Sequence, residues 1–280
     1  MTRHELLLAD GRLLVVHDDG GSGGEDPLTL VWHHGSPQSG ALLDPIVAAA
    51  RARGIRLLSY ARPSYGGSSP NVGRNIASAA GDVEQIVDAL RIDRFAVMGA
   101  SGGGPHALAC AALLPDRIIG AVCLASPAPF TTEFDWHAGM VSPDGVRAAE
   151  AGRDARARFA ETEVFDVNSF TAADWAALSD RWESLGRDAG AAGAANPDGL
   201  IDDDVALVTP WGFDVSGISV PVLLIQGGED RVIPASHAQF LLTAIPSAEL
   251  WLRPRDGHIS VLNACPVAMD WLLDLRYLRR

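Results

Sequence analysis

Short apolar runs alternate along the chain with segments of helical periodicity. The runs are Leu28–Trp32 (LTLVW), Ile55–Tyr60 (IRLLSY), Phe95–Gly99 (FAVMG), Ile118–Ala125 (IIGAVCLA), Pro221–Gln226 (PVLLIQ) and Glu249–Arg253 (ELWLR). Apolar residues at consecutive positions predict strands covered on both faces, as in a parallel sheet. Between and after them Ala41–Arg53 (closed by Gly54), Ile76–Leu90, Pro105–Leu114, Ala235–Ile245 and Val261–Leu278 predict helices. In Ile76–Leu90 the apolar residues Ile76, Val83, Ile86, Val87 and Leu90 recur at helical spacing. Ahead of these, Glu5–Val16 predicts two strands joined around Asp10-Gly11, a hairpin signal. Gly20–Asp26 (GGSGGED) predicts a flexible loop. Strand–helix alternation of this kind predicts an α/β fold with a mostly parallel sheet.

The alternation breaks at Ser126. From 127 to 217 the chain is helical but irregular, with Trp136, Trp175, Trp182 and Trp211, a Gly/Ala stretch at Gly190–Ala195 and an acidic run at Asp202–Asp204. The strand grammar returns at Pro221. The expected organisation is a core of residues 1–126 and 218–280, with a helical insertion, 127–217, after the sixth strand. No internal repeat is visible.

Composition narrows the partners. The 280 residues are 48% apolar, enough for one large α/β domain. A net charge of −13 argues against nucleic acid or an anionic membrane as the main partner. All 22 basic residues are Arg, which says little about function. Three cysteines, Cys110, Cys123 and Cys265, are far apart in sequence and predict neither a disulfide framework nor a CxxC metal site. The first residues carry Asp10 and Arg12 inside a short apolar run, unlike a signal peptide or a membrane span, so cytoplasm is the default expectation. Oligomeric state, monomer or homodimer, is not legible.

The chemistry starts at Phe95–His106, FAVMGASGGGPH. A strand that turns at once into a helix must bend sharply, and glycines on either side of the bend avoid collisions. Gly99-Ala100-Ser101-Gly102-Gly103 is G-x-S-x-G in that setting. The turn would raise Ser101 above the strand end and aim the Gly102 N–H, at a helix N-terminus, toward a developing oxyanion. A plain glycine-rich turn is the structural alternative. A Walker A phosphate loop requires Lys, which the chain lacks, and a Rossmann fingerprint would sit in the first βα turn.

A nucleophilic serine needs a base, itself oriented by a carboxylate. Asp230 follows PVLLIQ in GGEDRVIP, and His258 follows ELWLR in PRDGH. The order Ser101, Asp230, His258 is that of α/β-hydrolases. With HHGSP, GASGGG, GGEDRVIP and DGHIS in sequence, the chain resembles the α/β-hydrolase superfamily over nearly its whole length. Within it the chain looks like the capped serine hydrolases that include proline iminopeptidases and non-haem haloperoxidase-like esterases. The resemblance implies an eight-stranded, mostly parallel sheet with a helical cap over the site. It implies Ser101 as nucleophile, His258 as general base and then acid, and Asp230 as the residue that orients His258. Backbone N–H groups of Ser36 and Gly102 would form the oxyanion hole, with no metal or organic cofactor.

Other candidates remain beside these. Glu229 and Asp256 are alternative acids; relatives can also carry the acid after the sixth strand, where this chain has Ser126-Pro127. His33-His34 lacks metal-ligand spacing, and His34 is expected to pack under the oxyanion loop. His106 reads as structural, and Arg62–Ser69 as a scaffold loop. Trp136, Trp182 and Trp211 are candidates to line an acyl pocket. Epoxide hydrolase and dehalogenase chemistry would need a carboxylate at the position of Ser101. Proline iminopeptidases usually read HGGPG and G-x-S-W-G where this chain has HHGSP and GASGG. A cap carboxylate, Glu133, Glu161, Glu163 or one of Asp202–Asp204, would be needed to bind a substrate amine. The expected activity is hydrolysis of a small ester or amide. The alternatives are an iminopeptidase, a triad-retaining small-molecule receptor, and a lyase or acyltransferase.

Overall fold

The computed structural model describes residues 1–21 and 27–278. The loop expected at Gly20–Asp26 lies, apart from Gly20 and Gly21, outside the described residues. Eight strands form one sheet: β1 (Thr2–Leu7), β2 (Leu13–Asp18), β3 (Thr29–His33), β4 (Arg56–Tyr60), β5 (Phe95–Ala100), β6 (Ile118–Leu124), β7 (Val222–Gly227) and β8 (Ala248–Arg253). Their order is β1-β2-β4-β3-β5-β6-β7-β8. The hairpin β1–β2 and the pair β2–β4 are antiparallel; all other neighbours are parallel. This is the α/β-hydrolase sheet, with helices α1 (Asp44–Arg51), α2 (Ser78–Ala89), α3 (Gly104–Leu113), α9 (Ala235–Ala244) and α10 (Cys265–Leu278) about it.

The apolar runs are continuous because each central strand feeds two cores at once. Odd-numbered Val31, Phe95, Val97, Ala121 and Cys123 belong to one core with α2 and α3. Even-numbered Leu30, Trp32, Ala96, Met98, Val122 and Leu124 belong to the other with α1 and α10. The period-two alternation of side chains sends successive apolar residues to opposite faces. Every residue of β3, β5, β6 and β7 is buried. The edge strands differ: β1 alternates exposed with half-buried positions and β8 is partly exposed.

Two helix boundaries depart from the sequence reading. The helix expected from Ala41 starts at Asp44, with Pro45 in its first turn, where a missing N–H costs nothing. The helix expected over Val261–Leu278 is split into a 3-10 segment Ser260–Ala264 and α10. Pro266 lacks the N–H that would continue the earlier turn, so the α-helix restarts there.

Between β6 and β7 the chain carries α4 (Asp144–Glu150), α5 (Arg153–Ala160), α6 (Ala172–Leu178), α7 (Glu183–Ala195) and α8 (Asp198–Val208). The residues from Ser126 to Pro143 lie outside any helix. Among the described residues no helix is long and apolar enough to cross a membrane.

Candidate active site

In a parallel sheet the strand ends that carry function lie along one edge, and the loops after β3, β5, β7 and β8 meet there. β5 passes directly into a 3-10 turn, Ser101–Gly103, and then into α3. Ser101 holds φ +52°, a left-handed conformation uncommon for a residue with a β-carbon. The bend requires its glycines: a β-carbon on Gly99 would run into the Gly103 carbonyl, and one on Gly103 into the His33 carbonyl. Ser101 is half-buried, and Gly102 is packed against the Ser36 side chain. The loop after β3 therefore touches the turn after β5.

The loops after β7 and β8 bring the other two residues together. His258 Nδ1 is 2.9 Å from Asp230 Oδ2. The other oxygen, Asp230 Oδ1, accepts the N–H groups of Val232 and Ile233, each at 2.9 Å. Gln226 Nε2 adds a hydrogen bond to Oδ2 at 3.3 Å. With its carboxylate so fixed, Asp230 accepts a hydrogen bond from the Nδ1–H of His258, which leaves Nε2 as the free acceptor of the ring. Burial opposes a positive charge on His258, but the Asp230 carboxylate outweighs it and holds the pKa above the ordinary 6.5. Among the described residues no hydrogen bond joins Ser101 Oγ to His258. Such contacts in unliganded sites often tighten only when substrate binds.

The alternative acids are placed elsewhere. Glu229 is exposed, and Asp256 pairs with Arg253. Three other histidines, His33, His34 and His106, are buried in the core around these loops. His34 donates from Nδ1 to the Gly35 carbonyl at 2.7 Å and accepts the Arg62 N–H at Nε2 at 3.2 Å. Burial pushes His33 down to about 3 and His106 well below 6.5, so both stay neutral. Among the described residues no cluster of His, Cys, Asp and Glu is arranged to hold a metal ion.

Two groups were not legible in the sequence. The first is Asp203 of α8. It pairs with Arg62 and with Arg74, each at 2.7 Å, and accepts the Tyr65 hydroxyl at 2.8 Å and the Ser36 hydroxyl. Burial alone would raise its pKa, but the two guanidiniums hold it well below the carboxylate range. Arg62 also donates to the His34 and Gly35 carbonyls. The expected scaffold loop thus supplies the cation that braces the loop of Ser36. The second is Asp174 of α6, whose carboxylate accepts the backbone N–H groups of His258, Ile259 and Ser260. Thr171-Ala-Ala-Asp174 is a capping box, a signal readable in the sequence, but its reach to another loop is not.

Three more of the insertion's candidate carboxylates are engaged, while Glu161 is exposed. Asp202 bonds Arg153 and Ser64, while Asp204 and Glu163 both bond Arg156. Glu133 lines an open groove with Phe134, Gln239 and Phe240 that contains none of Ser101, Asp230 and His258. Of the three tryptophans, Trp182 shares a core cluster with Ile259, Phe170 and Leu178. The Phe170 ring stacks on the His258 imidazole, centroids 6.5 Å apart. Trp136 packs on His237, and Trp211 packs in the core of α2 and α3 with its N–H on the Leu207 carbonyl.

Comparison with known proteins agrees with this architecture. A family model described as alpha/beta hydrolase fold matches residues 29–264. The chain is 30% identical over 244 residues to a non-heme chloroperoxidase of Streptomyces lividans, covering 81% of this chain and 82% of that protein. It is 27% identical over 272 residues to a 2-hydroxy-6-oxononadienedioate/2-hydroxy-6-oxononatrienedioate hydrolase of Cupriavidus pinatubonensis, covering 89% and 86%. The crystal structure of bromoperoxidase from Bacillus anthracis superposes with a TM-score of 0.75 at 23% identity, over 98% of this chain and 100% of that one. Sheet order, the glycine-bounded turn at Ser101 and the family match lead to one conclusion: the chain belongs to the alpha/beta hydrolase fold family.

Proposed function

We propose that the protein is a serine hydrolase that cleaves an ester or amide bond of a small molecule through an acyl-enzyme. The observation that carries this reading is the 2.9 Å contact of His258 Nδ1 with Asp230 Oδ2, along the sheet edge where Ser101 is raised on its strained turn. In the reaction His258 Nε2 takes the Ser101 hydroxyl proton as Oγ bonds to the substrate carbonyl carbon. The oxyanion accepts the N–H groups of Gly102 and Ser36. Collapse breaks the bond to the leaving group, which leaves with the proton from His258. Water then loses a proton to the same nitrogen, attacks the acyl carbon and frees the acid and Ser101.

The insertion, residues 127–217, serves as the cap. Phe170 and Trp182 line its apolar side near His258, and Trp136 and Trp211 stabilise the cap and its base. An ester substrate is favoured over an amine-bearing peptide. Asp202, Asp203 and Asp204 are engaged by arginine and Asp174 by backbone N–H groups, so among the described residues these buried cap carboxylates are all occupied and none is left to receive an ammonium group.

The test is intact mass after incubation with a fluorophosphonate, beside Ser101→Ala. One adduct on the wild type, absent from the variant, is expected, followed by turnover of chromogenic esters. A folded wild type that takes no adduct and binds a small molecule without turnover would replace this reading with that of a receptor.

A further inference from the structure

Asp174 is completely buried, yet it is charged and belongs to the insertion rather than to the core. Its Oδ1 accepts the N–H of Ile259 at 2.9 Å, the N–H of Ser260 at 2.8 Å and the Ser260 hydroxyl at 2.9 Å. Its Oδ2 accepts the N–H of His258 at 3.2 Å and the N–H and hydroxyl of Thr171, each at 2.9 Å. Burial alone would raise its pKa, but these donors hold it below the ordinary carboxylate value. A β-carbon on Gly257 would overlap Asp174 Oδ2, so glycine lets the loop close on the carboxylate.

A helix cap needs only the reciprocal pair in which Asp174 Oδ2 accepts the Thr171 N–H and Thr171 Oγ1 accepts the Asp174 N–H. The remaining bonds seize three consecutive backbone donors that begin at His258 itself. Charge-assisted hydrogen bonds to rigid backbone groups are among the stronger ones a protein makes. We infer that Asp174 is a positioning residue that clamps the insertion onto the His258 loop and fixes the imidazole between Asp230 and Ser101. The inference rests on the serine hydrolase reading for its consequence in catalysis. The charged groups acting on the imidazole are Asp230, from the loop after β7, and Asp174, from α6. Removing either negative charge favours the neutral ring, so loss of Asp174 lowers the His258 titration midpoint as well as loosening the loop.

The experiment reads two quantities in wild type, Asp174→Asn and Ser260→Ala: the His258 midpoint from imidazole NMR, and the pH profile of fluorophosphonate labelling. Misplacement of a reacting group by about 1 Å costs roughly a hundredfold. Asp174→Asn is expected to label at least tenfold more slowly, with the His258 midpoint shifted down. Ser260→Ala keeps the carboxylate but removes one donor to it and the acceptor of the Gly257 N–H; it should slow labelling by less and leave the His258 midpoint close to that of the wild type. A purely structural role would lower the melting temperature and leave midpoint and labelling rate of the folded protein unchanged, which overturns the inference. If Asp174→Asn does not fold, an unchanged labelling rate in Ser260→Ala overturns it equally. A wild type that takes no label, but whose His258 midpoint falls in Asp174→Asn, would sink the hydrolase reading while supporting the clamp.

Discussion

Asp203 of α8 and Arg62 of the loop after β4 meet at 2.7 Å, with each side chain only 1% exposed. The pair lies beneath Ser36, whose hydroxyl touches both partners. The insertion is therefore fixed to the loop of Ser36 by charge. Asp203→Ala would leave Arg62 and Arg74 buried without their partner. Breaking a buried pair in this way costs about 3–5 kcal/mol. Urea unfolding should show a loss of that size, with labelling of Ser101 slowed in the protein that remains folded. A loss below about 1 kcal/mol, typical of an exposed ion pair, would refute the role of Asp203.

Ser101 pays for its place in backbone strain. Ser101→Ala keeps the β-carbon, whereas Ser101→Gly removes the steric conflict of the left-handed conformation, worth about 1–2 kcal/mol, less the entropy glycine loses on folding. Both variants should lose ester turnover by at least roughly 10³-fold. Thermal denaturation should place Ser101→Gly above Ser101→Ala; the reverse order would remove strain from the account of this turn.

Asp230 and Asp256 are separated by one comparison. Asp230→Asn is expected to lower kcat by roughly 10³–10⁴-fold, because the amide can no longer hold the required His258 tautomer. Asp256 pairs with a half-exposed Arg253. Its replacement by Asn should leave kcat within about twofold, with a change in stability below about 1 kcal/mol. Equal losses in the two variants would reassign the acid.

The pH dependence follows from two histidines of opposite sign. As the base of the proposed reaction His258 must be neutral, so kcat/KM should rise with a midpoint above 6.5, the direction set by Asp230. Its contribution to stability is complete below pH 6.5 and is lost as pH climbs through that raised midpoint. His237 is buried and neutral: Nδ1 accepts the Ala128 N–H at 3.1 Å, and Nε2 donates to the Trp136 carbonyl at 2.9 Å. Burial pushes its pKa down to about 4. The unfolded chain binds that proton below about 6.5 and the folded one does not. Stability should therefore fall between pH 6.5 and 4, by on the order of 3 kcal/mol from this residue. Removing this histidine, as in His237→Gln, should flatten that limb of the stability profile; an unchanged slope would exclude His237 as its source.

The core was legible because its grammar is local. LTLVW, FAVMG and PVLLIQ are apolar at each step because their strands are covered twice, and the glycines of GASGG announce the bend at Ser101. That Asp230 and His258 meet was readable because this fold places such residues after successive strands in a set order. Asp174 and Asp203 were not. Each lies in a helical insertion whose text gives local periodicity only, while their meaning comes from loops more than eighty residues away along the chain. In the sequence the acidic run Asp202–Asp204 is a candidate to bind a substrate amine. Folding turns its three side chains to Arg153, to Arg62 with Arg74, and to Arg156.

Strands β6 and β7 are adjacent and parallel, and the whole insertion leaves from one and returns to the other. Neighbouring strands lie about 5 Å apart. The cost of closing a loop grows only with the logarithm of its length. Segments of very different size can therefore be spliced at this point without disturbing the sheet. Any replacement must still present one anion to the arginines below Ser36 and another to the amides beginning at His258. Those two sockets make the core a chassis with a fixed plug, on which substrate preference can change while the chemistry stays in place.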